Sequence, residues 1–278
     1  MNKDKSIYRN LSPEECINLY KKIIKSGKMK SISILIIMFC VTLGMTVITG
    51  KYQINILGMF LAIIVFFMYK GMGFKAFEEL KSIYFVDCDP EKWLKVLDLL
   101  LSENPDERLH NTFCMYRADV YFGLGDYEKM RRNLSDMKDE KMDVTTEMSR
   151  IALWENYFFE IGDEKGMNFC LKEFQKIKNE RKIPKRLLGA MHEMEDIRNL
   201  HRSILKKDWE ETIRISEKRM DTSIPAMKIS YKYYMGKAYK ALGEDEKANT
   251  LLREVISDGG TLNVATLAKE IAESEPLS

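Results

Sequence analysis

Between residues 31 and 69 the chain runs SISILIIMFCVTLGMTVIT, breaks at GKYQ, and resumes INILGMFLAIIVFFMY, with no Asp, Glu, Lys or Arg in either apolar run. At about 1.5 Å per helical residue the runs 31–49 and 54–69 span roughly 28 Å and 24 Å, close to a hydrocarbon core of about 30 Å. Tyr52 and Lys70 at the two interfaces would cover the shortfall of the second run, because aromatic rings and snorkelling lysines are favoured there. A transmembrane helical hairpin is therefore expected at 31–70, leaving residues 76–278 for a soluble body. The competing arrangement is a pair of buried core helices, which seldom stay this free of charge.

Charge orients the hairpin. Residues 1–30 carry eight Lys or Arg against three acidic residues, and the first 75 carry 11 against 3. Of the chain's 44 basic and 42 acidic residues, 33 and 39 remain beyond residue 75, so the body is mildly acidic and has no nucleic-acid footprint. Lys21, Lys22, Lys25, Lys28 and Lys30 precede the first run and Lys70, Lys75 and Lys81 follow the second, while the connection holds Lys51 alone. The positive-inside rule then puts both termini in the cytoplasm. The apolar run starts 30 residues in and is followed by another, so signal-peptide cleavage is not expected. The Lys- and Ile-rich composition suggests a bacterial plasma membrane. Five dispersed cysteines (Cys16, Cys40, Cys88, Cys114, Cys170) with no Cys-x-x-Cys pair suit a reducing compartment and argue against zinc.

Ser12-Pro13-Glu14-Glu15 reads as a helix start, with Ser12 as N-cap and Glu15 completing a capping box. Cys16, Ile17, Tyr20, Ile23 and Ile24 then recur at helical spacing beside lysines, so this basic segment is an amphipathic helix. It lies on the inner membrane face, docks on the body, or extends the first span through Gly27.

Beyond residue 75 helix signals dominate. RADVYFGLGDYEKMRRNLSDM, from Arg117, sets Ala118, Tyr121, Gly125, Tyr127 and Met130 at intervals that KYYMGKAYKALGEDEKANTLLREV, from Lys232, repeats with Gly236, Tyr239, Gly243 and Ala248. IALWENYFFEIGDEKGMNFCLKEF places Phe158, Gly162 and Met167 in register, with Glu155 where the small residue belongs. A small residue lets the paired helix approach, the aromatic fills the gap, and Gly permits the reversing turn. Trp93, Tyr127, Glu164, Trp209 and Asp245 mark successive second helices, 34, 37, 45 and 36 residues apart, the first of these helices starting at Pro90. The pattern resembles the tetratricopeptide repeat, a helix-turn-helix unit of 34 residues.

The expected fold is thus all-α: a two-helix hairpin, then an α-solenoid of four to five such pairs. The stretch 76–86 would be the first helix of the first pair, with Gly71 and Gly73 before it as a possible break. The pair containing LKKDWEETIRI lacks the turn glycine and has Ser203 in place of the aromatic, so it is a degenerate repeat or merely a helical pair. NERKIPKR (179–186) reads as a charged loop, and after Gly259 and Gly260, Thr261 would N-cap a terminal helix covering the last open face. An irregular helical bundle is the alternative.

No catalytic or nucleotide-binding motif is present. His192 opens HEMED without a second His four residues on, His110 and His201 stand apart, and the acidic pairs 210–211 and 244–245 fall at helix starts, where the helix dipole explains them. No enzyme activity, metal, cofactor or small-molecule substrate is expected. The resemblance implies a groove lined by first-helix residues, which singles out Arg117, Tyr121, Asn156, Lys232 and Lys237 as partner-binding candidates. The function expected is a membrane-anchored adaptor for a protein or peptide partner. The alternative is an assembly subunit of a membrane complex that associates through its hairpin, where Ser33, Gly44 and Gly58 are small enough for helix contacts.

Overall fold

The computed structural model of the chain describes residues 5–50, 53–103, 110–138, 142–180, 183–221 and 224–273. Every regular element among them is helical. The chain divides into two compact units, one spanning Ser6–Ser82 and the other beginning at Ile83.

The first unit is a helical hairpin of α1 (Pro13–Thr49) and α2 (Gln53–Leu80). Ser12 caps α1 with the expected box: its hydroxyl accepts from Glu15 N, and the Glu15 carboxylate accepts from Ser12 N at 2.7 Å. The helix then passes through Gly27 unbroken, so the basic segment extends the first apolar run. Gly27 is buried, and a Cβ there would sit 3.0 Å from the Met72 thioether. The two helices therefore approach each other at this level. Gly58 makes a second close approach, 2.7 Å from the Thr42 methyl for an added Cβ, whereas Gly44 has no neighbour and Ser33 is exposed. Gly71 and Gly73 do not interrupt α2. Tyr52, Lys51 and the Lys70 side chain lie outside the described residues. Both helices are long and apolar enough to cross a membrane, and none of the most apolar window of α1 is buried.

The expected single helix at 76–86 is corrected. The end of α2 takes its first part, and α3 (Ser82–Phe85) follows after Lys81. The Ser82 hydroxyl donates to Glu79 O at the break, satisfying a terminal carbonyl that a continued helix would have used.

The second unit continues with α4 (Pro90–Glu103), α5 (His110–Gly123), α6 (Tyr127–Ser135), α7 (Val144–Glu160), α8 (Glu164–Glu180), α9 (Leu188–Leu205), α10 (Trp209–Met220), α11 (Pro225–Ala241), α12 (Asp245–Asp258) and α13 (Asn263–Glu273). Four of the five markers are first helical residues, of α6, α8, α10 and α12, and α4 begins at Pro90 as expected, three residues before Trp93. The four turns that precede those helices share one geometry. Gly125, Gly162, Lys207 and Gly243 have φ between 56° and 77°, and each is followed by an amide (Asp126, Asp163, Asp208, Glu244) that bonds the carbonyl five residues back at 2.8–2.9 Å. This is the left-handed helix stop in which Gly is favoured. Lys207 adopts it without being Gly, so the pair that lacked the turn glycine has the same turn as the others.

Packing within the pairs follows the same register. The residue seven before each left-handed position (Ala118, Glu155, Leu200, Gly236) is buried, as is the residue five after it (Met130, Met167, Thr212, Ala248). Where Ser203 replaces the aromatic, its hydroxyl lies 2.8 Å from that of Thr212, and a buried hydrogen bond stands in for apolar contact. Where Glu155 replaces the small residue, close approach comes from the other helix: a Cβ on Gly166 would fall 2.3 Å from the Phe158 ring. Apolar clusters follow one another along this unit, Ala118 with Met130 and Leu153, then Phe159 with Leu200 and Ile215.

Thr261 is not the cap of α13. The helix begins two residues later, and Thr261 turns back to the start of α4, its N–H donating to Cys88 O at 3.0 Å and its hydroxyl lying 3.2 Å from Asp89 Oδ1. Asn263 packs under Gly125. The helices of this unit consequently close on themselves, around a cavity.

Candidate functional site

The cavity holds about 460 Å³ and is walled by α5, α7, α9 and α11, with α3 and the start of α13 completing it. That volume lies within the range of small-ligand sites. One helical stripe supplies the wall: on α9 it is Ile197, Leu200, His201 and Ile204, the i, i+3, i+4, i+7 spacing of a single face. The sixth residue before each left-handed turn position is Asp119, Asn156, His201 and Lys237, and all four line the cavity. The repeated turn thus fixes the rotational setting of each first helix and aims the same position inward four times.

This register sorts the five sequence candidates. Asn156 and Lys237 lie on the cavity wall. Arg117, Tyr121 and Lys232 sit at other register positions and are engaged elsewhere. Arg117 Nε bonds Asp98 on α4 at 3.1 Å, Tyr121 packs against the Ala118–Met130 cluster, and Lys232 Nζ is 2.7 Å from Glu254 on α12.

In the sequence Tyr127 stands out only as a repeat and helix marker and His201 only as an isolated histidine, while Glu160, Tyr233 and Tyr234 carry no signal; all five line the cavity. The Tyr127 hydroxyl donates to Glu160 Oε2 at 2.9 Å. Burial holds the Glu160 carboxyl above the usual glutamate range, opposed by that hydrogen bond and by the Lys237 charge. Burial and then the Glu160 charge raise the hydroxyls of Tyr127, Tyr233 and Tyr234, the second to about 12. Glu160 therefore faces tyrosines from both α6 and α11.

His201 is 3% exposed and stacks on Phe159, ring centroids 3.9 Å apart and planes within 6°. Burial, with the Arg198 charge behind it, pushes its pKa down to about 3, so the imidazole is neutral at pH 7. Among the described residues its buried Nδ1 has no hydrogen-bond partner. Buried polar atoms without partners are uncommon. The other histidines are elsewhere, His110 within 2.9 Å of Asp136 O and His192 beside Glu195.

The spacing that would have identified the site was present in the residues, six before GD, GD, KD and GE. The signal was obscured by Lys207, which breaks the glycine pattern, and by the unlike residue types at the inward position. No protein-family model matches the chain, and no curated protein or solved structure matches it.

Proposed function

We propose that the chain is a membrane-anchored adaptor, in which tetratricopeptide-like helix pairs form a cytoplasmic cavity for a segment of a protein partner. The observation that carries this reading is the inward convergence of Asp119, Asn156, His201 and Lys237 from one register position of four successive pairs. Four polar side chains meeting at one cavity from equivalent positions are the arrangement expected of a binding surface.

Anchorage is supported by the first unit. Ile36, Ile37, Phe39, Val47, Ile48, Met59, Phe60 and Phe67 are each at least half exposed, an apolar surface that water does not favour and lipid does. The lysines 21, 22, 25, 28 and 30 on the adjoining part of α1 are exposed, which suits a cytoplasmic face carrying anionic lipid. Anchoring confines the partner to the membrane surface and raises its effective concentration there.

The test is photo-crosslinking in intact cells. A benzophenone residue at Asn156 is expected to capture a partner, while the same residue at the exposed Lys165 on α8 captures none. Capture from Val47 or Phe60 with none from Asn156 would favour assembly through the hairpin and end the adaptor reading.

A further inference from the structure

We propose that the cavity takes an alkylammonium group, such as a lysine side chain, with its charge at the Glu160 carboxylate and its methylene stem along Phe159, Tyr233 and Tyr234. The inference rests on the cavity being the binding site and adds the chemistry of what enters.

The charge lining the cavity favours a cation. Glu160 and Asp119 both line it, and the one lysine of the wall, Lys237, is itself exposed and makes no ion pair among the described residues. His201 adds no charge, for the reason given above. The carboxylate of Glu160 is thus partly desolvated, with a tyrosine hydroxyl as its one bonded partner among the described residues, a state that an entering ammonium relieves. The walls suit the rest of such a group. Phe159 meets Tyr234 edge-on at 6.3 Å, and Tyr234 lies 5.5 Å from Tyr233, so three contiguous rings belong to the cavity wall that Glu160 lines. Aromatic rings beside a carboxylate attract organic cations through the ring quadrupole as well as the charge.

The titratable groups facing Glu160 come from several helices: Tyr127 of α6, Lys237, Tyr233 and Tyr234 of α11, with His201 of α9 and Asp119 of α5 on the same wall. Lys237 competes for the carboxylate, so its removal strengthens cation binding where removal of Glu160 weakens it. Opposite signs from neighbouring substitutions separate a binding effect from a folding defect.

The experiment is calorimetric titration of the full chain in detergent micelles with hexapeptide pools holding Lys, norleucine or Glu at one fixed position, and with butylammonium chloride. The Lys pool is expected to bind at least tenfold tighter than the norleucine pool. Glu160→Gln, which keeps an acceptor for Tyr127, abolishes that preference without weakening the norleucine pool, and Lys237→Ala increases it severalfold. Butylammonium binding that Glu160→Gln removes, with no pool bound, supports the ammonium site while identifying its ligand as a small amine and ending the peptide-adaptor reading. Preference for the Glu pool, or a Lys preference indifferent to Glu160→Gln, overturns the proposal. In that case capture from Asn156 still decides separately whether the cavity binds a partner.

Discussion

The buried ion pair between Glu155 on α7 and Arg198 on α9 makes a quantitative prediction about how the helix pairs are joined. Arg198 Nε lies 3.1 Å from both carboxylate oxygens and Nη2 lies 2.6 Å from Oε2, each side chain being 5% exposed. The guanidinium also sits over the Phe174 ring, 5.1 Å from its centroid. Burial raises the Glu155 pKa even with Arg198 pulling it down, so desolvation outweighs the partner's attraction. In that regime removal of one member strands a charge and costs about 3–5 kcal/mol, whereas replacing both by apolar side chains of similar volume is neutral or better. For a unit of this size, at roughly 2–4 °C per kcal/mol, Arg198→Met should lower Tm by about 10 °C, and Glu155→Leu with Arg198→Met should return it to within a few degrees of the parent. The readout is built in: Trp93, Trp154 and Trp209 are the only tryptophans and all lie beyond Ile83, so their fluorescence in detergent-solubilised full chain reports this unit alone. The deficit of Arg198→Met should also depend on pH. Glu155 is raised above its unfolded value, so the folded variant gains from protonation. Its deficit is smallest below the ordinary glutamate pKa and grows as pH rises through the raised one. An Arg198→Met cost under about 1 kcal/mol, or a double variant as unstable as the two singles combined, would refute this account.

His201 predicts acid sensitivity. Its folded pKa of about 3 lies below the ordinary value of 6.5, so its contribution to stability is complete above pH 6.5 and declines as pH falls. The loss at pH 5 is about 2 kcal/mol, and His201→Leu should flatten the change in urea midpoint between pH 7 and pH 5. The shared turn predicts opposite signs at two equivalent positions. Lys207→Gly should raise stability by up to about 1 kcal/mol. Gly125→Ala should lower it by about 2 kcal/mol, since its φ is 73° and the new Cβ would meet the Asn263 side chain at 2.5 Å; thermal melts of both variants check the pair. If the hairpin lies in lipid, the chain resists alkaline carbonate extraction. Lys at both Ile36 and Phe60 should release it to the supernatant, since each buried charge adds about 3 kcal/mol to the cost of insertion.

The local elements were legible and the long-range closure was not. Ser12 with Glu15, and the five second-helix starts, follow from capping and turn chemistry that acts within a few residues. The seam between Thr261 and Cys88 joins residues more than 170 apart in the chain, and neither carries a local signal for it. Thr261 looked like a cap because its type and its place after two glycines fit one; its hydroxyl is taken instead by the α4 start. The break at Lys81 was missed because the apolar spacing of 76–86 continues across it, whereas the Ser82 hydroxyl ends the helix there.

The cavity residues escaped notice for a different reason. Positions seven before and five after the turn must pack between helices, so their types are restricted to residues such as Ala, Gly, Leu and Met, or to a polar residue with a compensating partner, as Glu155 has in Arg198 and Thr212 in Ser203. The position six before the turn is less restricted: it holds Asp, Asn, His and Lys in turn, and of these His201 stacks on Phe159. Packing patterns therefore reveal the scaffold and pass over the site. In this chain the contrast itself is informative: a register position bounded by restricted neighbours lines the cavity in four pairs yet is chemically different in each, so helix packing constrains it less than it constrains them.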